Sequence, residues 1–275
     1  MTSVNTNVGA MIALQNLNAT NAQLEMTQSR INTGKKVSSA KDNGAIWAIA
    51  QGQRADIGAL GAVKQSLDRG VAAVDVALAA GETVSDLLLQ MKEKALAATD
   101  SSLKTAARSA LNEDFKALRD QISSVTQNAE FNGVNLLETG ASGFAALANV
   151  SGTSTLTVAA EVMALGSTNV SVSTSQAIDT LSAATASLTA VNDSIDAVSG
   201  ALARLGTSSK ALTTHNTFVG KLTDALEAGV GNLVDADLAK ESAKLQALQT
   251  KQQLGVQALG IANQSPQLVL SLFRN

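Results

Sequence analysis

The clearest pattern in the sequence is a coiled-coil register between residues 188 and 233. Apolar residues recur there in alternating steps of three and four, and eleven of the fourteen slots are aliphatic. The slots are Leu188, Val191, Ile195, Val198, Leu202, Leu205, Ser209, Leu212, Asn216, Val219, Thr223, Leu226, Val230 and Leu233. A straight helix over this stretch would be about 69 Å long at 1.5 Å per residue. Such a length favours a rod over a compact domain.

A second register begins at Ile57, and eight of its twelve slots up to Ala95 are apolar. The apolar slots are Ile57, Leu60, Leu67, Val71, Val74, Leu78, Leu88 and Ala95. Turn-forming residues at 100–102 end this helix, and a shorter amphipathic helix over residues 107–125 is predicted to fold back antiparallel.

The middle of the chain changes character. Asn132 and Gly133 suit the two positive-φ positions of a tight hairpin turn. Residues 140–178 are rich in Ser, Thr, Gly and Val, with alternation over residues 154–158 and 169–173. This alternation predicts small β-hairpins.

Both ends of the chain lack charge but carry helical apolar stripes. No residue from Met1 to Leu24 is charged, and none lies between Lys251 and Arg274. The N-terminal stripe is Ala10, Leu14, Leu17, Asn21, Leu24, Gln28 and Ile31; the C-terminal stripe is Leu238, Leu245, Leu248, Leu259 and Ala262, interrupted by Gln252 and Gly255. Asp235 is the expected N-cap of the last helix. We expect the two ends to pair, and to become ordered only where several copies meet.

These patterns predict a mainly α fold: an elongated antiparallel helical rod with paired terminal helices and a small hairpin-containing insertion. The predicted division is an N-terminal core helix at 1–34, a connector at 35–44, a rod segment at 45–130, an outer insertion at 131–178, a second rod segment at 179–234 and a C-terminal core helix at 235–275. A single proline in 275 residues permits such long helices.

Composition excludes several functions. A net charge of −3 argues against a nucleic-acid interface. The absence of cysteine removes disulfides, thiol nucleophiles and thiolate metal sites. No stretch reaches the length of a membrane span, and the N-terminus has no ordinary secretory pattern. An enzyme is therefore not expected, and neither a cofactor nor a metal.

The candidate chemical residues have ordinary structural interpretations. His215, the sole histidine, is expected to be structural or exposed, and Trp47 to anchor packing. Lys35 and Lys36 are expected in a solvated linker, and Arg119 and Arg204 in surface ion pairs. The adjacent carboxylates at 113–114 point apart on a helix, which argues against paired catalysis.

Three groups of residues form a pattern known from one family. They are N-terminal segments at 29–32, 39–42 and 48–50, the Asn-Gly turn at 131–137, and C-terminal segments at 235–237, 262–267 and 270–272. In these segments the chain resembles bacterial flagellins, especially the short alphaproteobacterial type. The resemblance implies a secreted, extracellular subunit of the flagellar filament that binds other copies of itself in a helical tube lined by the terminal helices. It also implies export through the flagellar type III apparatus with a chaperone, and contact with cap and hook-associated proteins.

Two sets of residues follow as candidate sites. Contacts between copies are expected at Val8, Ile12, Leu14, Leu17, Leu24, Ile31, Leu245, Leu248, Leu259, Leu268, Leu272 and Phe273. Related flagellins often carry O-linked sugars on outward Ser and Thr, so modification is expected among Ser151, Thr153, Ser154, Thr155, Ser167, Thr168, Ser171 and Ser173. Two alternatives stay open: a hook–filament junction protein, and a secreted coiled-coil effector or adhesin.

Overall fold

The computed structural model describes the backbone of residues 6–272 and the side chains of residues 6–264. Within that part the helices are α1 (Val8–Thr33), α2 (Gly44–Ala98), α3 (Thr105–Asn128), α4 (Leu181–Val234) and α5 (Leu238–Leu272). The strands are β1 (Glu130–Phe131), β2 (Val134–Asn135), β3 (Phe144–Leu147) and β4 (Thr155–Val158). The predicted mainly α class is confirmed.

Contacts group the chain into two units. One contains the residues up to Ala55 and those from Ala225 onward, and the second is Asp56–Asp224. The boundaries fall inside α2 and α4, so both helices contribute to each unit.

The coiled-coil register predicted for α4 is confirmed. All fourteen slots are buried or half-buried, and the row formed by Val191, Val198, Leu205, Leu212 and Val219 is at most 1% exposed. Residues seven apart share one face of a supercoiled helix, so this row is the centre of the buried stripe.

Polar contacts give the direction in which α2 and α4 pack. Asn216 donates to Asp68, and one heptad along α2 Ser209 donates to Asp75. The partner number on α4 falls as the number on α2 rises, so the helices are antiparallel. Two of the polar slots in the α4 register are thus partnered by carboxylates of α2.

Helix α3 folds back along α2, as predicted. The Arg108 side chain donates to the carbonyl oxygen of Ala98 over 3.1 Å, and the Lys94 ammonium lies 3.1 Å from Asp114. Partner numbers again run in opposite directions, as an antiparallel pair requires. Phe115 and Ile122 of α3 are fully buried.

The first hairpin forms at the predicted turn. Asn132 and Gly133 have φ angles of 51° and 81°, and Phe131 pairs with Val134 across them. Two consecutive positive φ angles are the requirement of a type I′ turn, which matches the twist of the flanking strands. This prediction is confirmed.

The second hairpin differs in part from the prediction. The strand expected within residues 154–158 is present as β4, and it pairs antiparallel with β3. The sequence did not indicate β3, because Phe144–Leu147 has no polar and apolar alternation. The prediction of a strand at residues 169–173 is wrong, since no strand forms there. The Ser171 N–H donates to Ser194 of α4 instead of to a partner strand, while Val170 and Val172 are fully buried.

Several contacts hold the insertion against α2 and α4. The Leu147 N–H donates to the Ser66 hydroxyl of α2 over 3.1 Å, and the Met163 side chain is fully buried. A Cβ added at Gly81 of α2 would lie 3.2 Å from Met163 Sδ and 2.7 Å from Leu202 Cδ2. The lack of a side chain at Gly81 therefore lets the insertion and α4 approach α2 closely.

Candidate subunit interface on the terminal helices

The predicted pairing of the two chain ends is confirmed, since α1 packs against α5. The side-chain amide of Asn7 donates to Ala262 over 2.7 Å, Gln252 donates to Asn21 over 2.8 Å, and Arg30 lies 3.1 Å from Glu241. Partner numbers fall as the position on α1 rises. The two helices are therefore antiparallel over most of the length of α1.

The seam between α1 and α5 consists of residues spaced by alternating steps of three and four. On α1 these are Ala10, Ala13, Leu17, Thr20, Leu24, Thr27 and Ile31, and on α5 they are Glu241, Leu245, Leu248, Gln252, Gly255, Leu259 and Ala262; all are buried or half-buried. We refer to these fourteen residues as the seam. The predicted α5 stripe is wrong at Leu238, which is 49% exposed. The first seam residue of α5 is Glu241 instead, and the other residues of the stripe lie in the seam as predicted.

The predicted α1 stripe is wrong at two positions. Leu14 is 48% exposed and Gln28 is exposed, whereas Thr20 and Thr27 are 3% and 1% exposed. The Thr20 hydroxyl donates to the Asn16 carbonyl within the helix, so its burial needs no partner from α5. Small side chains here allow a closer approach of the helices than Leu14 and Gln28 would.

Close approach is also visible at Gly255. A Cβ at this position would lie 3.2 Å from Leu17 Cδ1, which is tighter than ordinary van der Waals contact. Gly255 and Gln252 interrupt the apolar stripe of α5, yet each lies beside a specific partner on α1. The interruptions are thus part of the seam.

The connector after α1 is tied to the start of α5. Gly34 ends α1 with a φ of 67° and accepts a hydrogen bond from Ala236, while Lys36 N–H donates to the Val234 carbonyl over 2.8 Å. The Lys36 ammonium also donates to the Asn232 carbonyl over 3.0 Å. Lys36 is exposed, as expected for a solvated linker, but its backbone and side chain also bond to the end of α4.

The expected cap of α5 is displaced by two residues. The Asp237 carboxylate accepts from the Lys240 N–H over 3.1 Å, which is the usual geometry of an N-cap. Asp235 instead donates its own N–H to Gly231 and forms an isolated bridge with Lys35. Because the backbone of Asp235 takes part in this bridge, α5 begins later and its N-cap is Asp237.

A second carboxylate organises the connector. The hydroxyl and N–H of Ser38 and the N–H and hydroxyl of Ser39 all donate to Asp42 Oδ2 over 2.8–3.3 Å. These hydrogen bonds, the Ser38 hydroxyl first, lower the pKa of Asp42 below its usual value of 3.8. The ionised carboxylate is therefore the form that holds this turn.

Large apolar side chains also lie on the sides of α1 and α5 that face away from the seam. The exposed fractions are 59% for Val8, 62% for Met11, 54% for Ile12, 48% for Leu14 and 53% for Met26 on α1, and 60% for Leu254, 56% for Val256 and 71% for Ile261 on α5. We refer to these eight residues as the outer face. Solvation of so much apolar surface is unfavourable, and such patches are typical of interfaces.

The expected contact residues are thus divided between the two surfaces. Val8, Ile12 and Leu14 belong to the outer face, whereas Leu17, Leu24, Ile31, Leu245, Leu248 and Leu259 lie in the seam. The side chains of Leu268 and Leu272, and all of Phe273, lie outside the described residues. The expected contact residues did not include Met11, Met26, Leu254, Val256 and Ile261, although their apolar character in helices with few charged residues was the available signal.

The other candidate residues have structural partners. His215 Nε2 lies 2.8 Å from the Ala148 carbonyl oxygen, which can only accept, so this nitrogen carries the proton. Glu113 pairs with Lys116 and Asp114 with Lys94, so the two carboxylates point apart as predicted. Within residues 6–272, no group of three metal-ligating side chains occurs.

The two arginines bind the insertion as well as carboxylates. Arg119 pairs with Asp120 as expected and also donates to the Gln176 carbonyl over 3.1 Å. Arg204 makes two hydrogen bonds of 2.7 and 2.6 Å to Glu161, whose side chain is only 12% exposed. Hydrogen bonding to Glu161 raises the pKa of Arg204, so the guanidinium stays charged. This pair connects the insertion to α4.

The Ser and Thr candidates differ in exposure. Ser167 and Ser173 are half-buried and the other six are exposed. The Ser167 and Ser171 hydroxyls donate to backbone carbonyls of Val162 and Ala190.

Of the helices over residues 6–272, none combines the length and hydropathy needed to cross a bilayer.

The long antiparallel helices, and a terminal pair with apolar residues on two surfaces, define a helical structural protein that associates with further chains. Comparison with known proteins gives its family. The model of the bacterial flagellin N-terminal helical region matches residues 4–141, and that of the C-terminal helical region matches residues 188–273.

Named relatives agree with these matches over the whole chain. Flagellin FljM of Caulobacter vibrioides is 58% identical over 274 residues, covering 100% of this chain and 99% of that protein. A flagellin of Brucella melitensis is 37% identical over 286 residues, with 100% of both chains covered. The chain belongs to the bacterial flagellin family. It is a structural subunit of the extracellular flagellar filament, as the sequence resemblance implied.

A solved structure supports the fold. The putative flagellar hook-associated protein from Vibrio parahaemolyticus has a TM-score of 0.59 and is 15% identical, covering 70% of this chain and 100% of that chain. At this identity the likeness concerns the fold alone.

Proposed function

We propose that copies of this flagellin join through the outer face of the α1–α5 pair, while the seam holds the two helices of one copy together. The observation that carries this proposal is the exposure of Leu254 and Ile261, at 60% and 71%, on a helix whose seam is already occupied by α1. These residues are one heptad apart, so they share one side of α5. At 3.6 residues per turn, that side faces away from the seam.

Helix α1 has an equivalent side. Val8 and Met26 are 18 residues apart, which is five full turns of an α-helix, and Ile12 lies one turn after Val8. All three are more than half exposed. Burial of each against a neighbouring copy would contribute roughly 1 to 2 kcal/mol, given about 25 cal/mol per Å² of apolar surface. Together these side chains favour association strongly.

Charge does not oppose this association. The only charged residues of α1 are Glu25 and Arg30, and α5 has none after Lys251. Arg30 is already paired with Glu241 of the same copy. Neighbouring copies can therefore bring residues 8–24 of α1 against residues 252–264 of α5 without burying unpaired charges, which would cost several kcal/mol.

The two helices of the outer face have different sequences. We propose that α1 of one copy contacts α5 of a second copy while its own α5 contacts a third copy, and this arrangement makes the contact heterologous. Heterologous contacts that do not close a ring produce open-ended helical assemblies. This supports growth of a filament in preference to a closed oligomer.

The test is a pair of substitutions on the outer face of α5. In L254S/I261S, polar side chains replace apolar ones without changing the seam. We expect the subunit concentration needed for polymerisation on filament seeds to rise roughly tenfold or more, since each 1.4 kcal/mol corresponds to a factor of ten. Assembly would be measured by sedimentation and electron microscopy.

The matched control is V150S, which changes a residue of the insertion that is 44% exposed. This variant should polymerise at the concentration of the unchanged chain. Normal assembly of L254S/I261S would refute the proposal. A chain that never elongates filament seeds would favour the junction-protein alternative, and a stable monomer with its own ligand would favour the effector alternative.

We further propose that the chain works without catalysis, and that it leaves the cell through the flagellar export apparatus. The exposed apolar outer face supports an escort, because a folded free subunit with this surface would associate before export. We propose that an export chaperone covers α5, and that cap and hook-associated proteins contact the same terminal helices after export. Retention of the chain in cells that lack the export apparatus is the expected result, and secretion from such cells would contradict it.

The segment roles follow the same proposal. Residues 1–34 and 235–275 would form the inner core, 45–130 and 179–234 the rod, 35–44 their connector and 131–178 the outer insertion. The proposed O-linked sugar sites of the insertion are the exposed hydroxyls of Ser151, Thr153, Ser154, Thr155, Thr168 and Ser171, with those of Ser167 and Ser173. An intact mass equal to that of the unmodified chain, measured on filaments, would exclude sugars.

A further inference from the structure

The methionines with described side chains fall into two environments. Met91 and Met163 are 0% exposed in the second unit, whereas Met11 and Met26 of α1 are 62% and 53% exposed. The exposed pair belongs to the outer face defined above. Methionine is a common choice for packing against irregular partners, because its thioether is flexible and apolar.

Helical geometry places the exposed methionines on one side of α1. They are 15 residues apart, which at 3.6 residues per turn is an angular difference of about 60°. Met26 also lines an open cleft of ≈ 430 Å³ with Glu25, Arg30 and Lys41. A small oxidant in water can therefore reach both side chains in a free subunit.

We propose that Met11 and Met26 form an oxidation-sensitive site, at which peroxide-class oxidants convert a free subunit into a form that cannot join other copies. This inference rests on the proposed role of the outer face in assembly. It adds a covalent modification that acts before polymerisation. In a polymer the same side chains would be covered by neighbouring copies and protected.

The reaction transfers one oxygen atom from the peroxide to the methionine sulfur. The O–O bond breaks, an S–O bond forms, the sulfur loses two electrons, and hydrogen peroxide is reduced to water. The product, methionine sulfoxide, is polar and chiral in place of a flexible apolar side chain. Burying it against an apolar neighbour leaves an oxygen acceptor without a hydrogen bond, which is unfavourable.

The first experiment exposes the full-length free subunit to hydrogen peroxide and follows each methionine by peptide mass spectrometry. Met11 and Met26 should oxidise roughly tenfold or more faster than Met91 and Met163, because accessibility controls the rate. Equal rates for the four residues would overturn the proposal. This measurement does not depend on polymerisation.

The second experiment measures seeded assembly before and after peroxide. Oxidation should raise the subunit concentration needed for assembly of the unchanged chain roughly tenfold or more, and methionine sulfoxide reductases should restore the original value. Unchanged assembly of the oxidised chain would overturn the proposal. An irreversible loss would do so too, because it would indicate damage other than sulfoxide formation.

Variants assign the effect to these two residues. Whatever the assembly threshold of M11L/M26L, peroxide should leave that threshold unchanged, while M91L should keep the sensitivity of the unchanged chain. Sensitivity retained in M11L/M26L would overturn the assignment. The outer-face proposal is tested without any oxidant, because normal assembly of L254S/I261S that has not been treated with peroxide would refute it. Failure of the oxidation proposal can therefore be distinguished from failure of the outer-face proposal.

Discussion

Gln252 on α5 donates a hydrogen bond of 2.8 Å to Asn21 on α1. Each residue is a polar position in an otherwise apolar stripe, and the structure places them opposite each other. A part-buried amide pair between two helices is satisfied in one register only, because a shift along either helix leaves both groups unpaired. The pair therefore specifies how the two chain ends align.

The first prediction concerns this amide pair. N21L and Q252L each leave one part-buried amide without its partner, so each should lower the midpoint temperature of heat depolymerisation. In N21L/Q252L no amide is left unpaired, and the double variant should recover part of the loss. The coupling free energy in the double-mutant cycle should be about 0.5 to 1.5 kcal/mol. Additive effects of the two substitutions would show that the hydrogen bond does not set the alignment.

The second prediction concerns Gly81. In G81A the new methyl group would lie 2.7 Å from Cδ2 of the half-buried Leu202 and 3.2 Å from the fully buried side chain of Met163. Overpacking costs about 1 to 3 kcal/mol, which exceeds the gain of about 0.5 to 1 kcal/mol from helix propensity. The free subunit of G81A should therefore have a lower melting temperature.

The matched control is G61A, on the same helix. A Cβ at Gly61 meets nothing within 4 Å, so only the propensity gain remains and the melting temperature should rise slightly. If G81A and G61A had the same melting temperature, the insertion would not pack against Gly81 as described.

The third prediction concerns the pH dependence of the connector. Folding lowers the pKa of Asp42 below 3.8, so its hydrogen bonds to Ser38 and Ser39 contribute stability at pH values above 3.8. That contribution is lost as the pH falls through the lower pKa of the folded state. The amide resonances of Ser38 and Ser39 should titrate with a midpoint below 3.8. They should not titrate in D42N, and a midpoint at or above 3.8 would contradict the geometry.

The fourth prediction concerns the ion pair between Arg204 and Glu161. E161Q removes the charge from a mostly buried carboxylate that binds two guanidinium nitrogens, so the melting temperature of the free subunit should fall. High salt should reduce the difference from the unchanged chain. E113Q is the control, since Glu113 and Lys116 are 68% and 38% exposed and such pairs contribute little. Equal melting temperatures for E161Q and E113Q would contradict a specific role for Glu161.

The sequence predicted α4 well because one face of that helix is buried along its whole length. Ser209 and Asn216 interrupt the register without breaking it, since Asp75 and Asp68 supply their partners. The type I′ turn was equally predictable, because Asn-Gly at positive φ is a local requirement. In both cases the information lies in neighbouring or regularly spaced residues.

The seam of α1 was harder to predict because two stripes share Ala10, Leu17, Leu24 and Ile31. The sequence favours the stripe through Leu14, whereas the structure buries Thr20 and Thr27. How closely α1 and α5 approach decides between the stripes, and that distance depends on Gly255 and other residues far away in the chain. A helix with apolar residues on two sides cannot indicate by its own pattern which side faces its own chain.

The strand prediction for residues 169–173 was wrong for a similar reason. Burial does alternate along this segment, since Val170 and Val172 are buried and Ser171 is exposed. The partner of Ser171, however, is the side chain of Ser194 on α4, which periodicity cannot reveal. Alternation predicts which side chains are buried, but it does not identify what supplies the backbone hydrogen bonds.

Hydrogen exchange on the free subunit and on filaments tests the central claim most directly, namely that neighbouring copies complete the burial of the terminal helices. Amides of α1 and of residues 238–264 in α5 should exchange rapidly in the dilute free subunit and slowly in filaments, while amides near Val198 and Leu205 should be slow in both. Slow exchange of α1 and α5 in the dilute subunit, with no further protection on polymerisation, would contradict the claim.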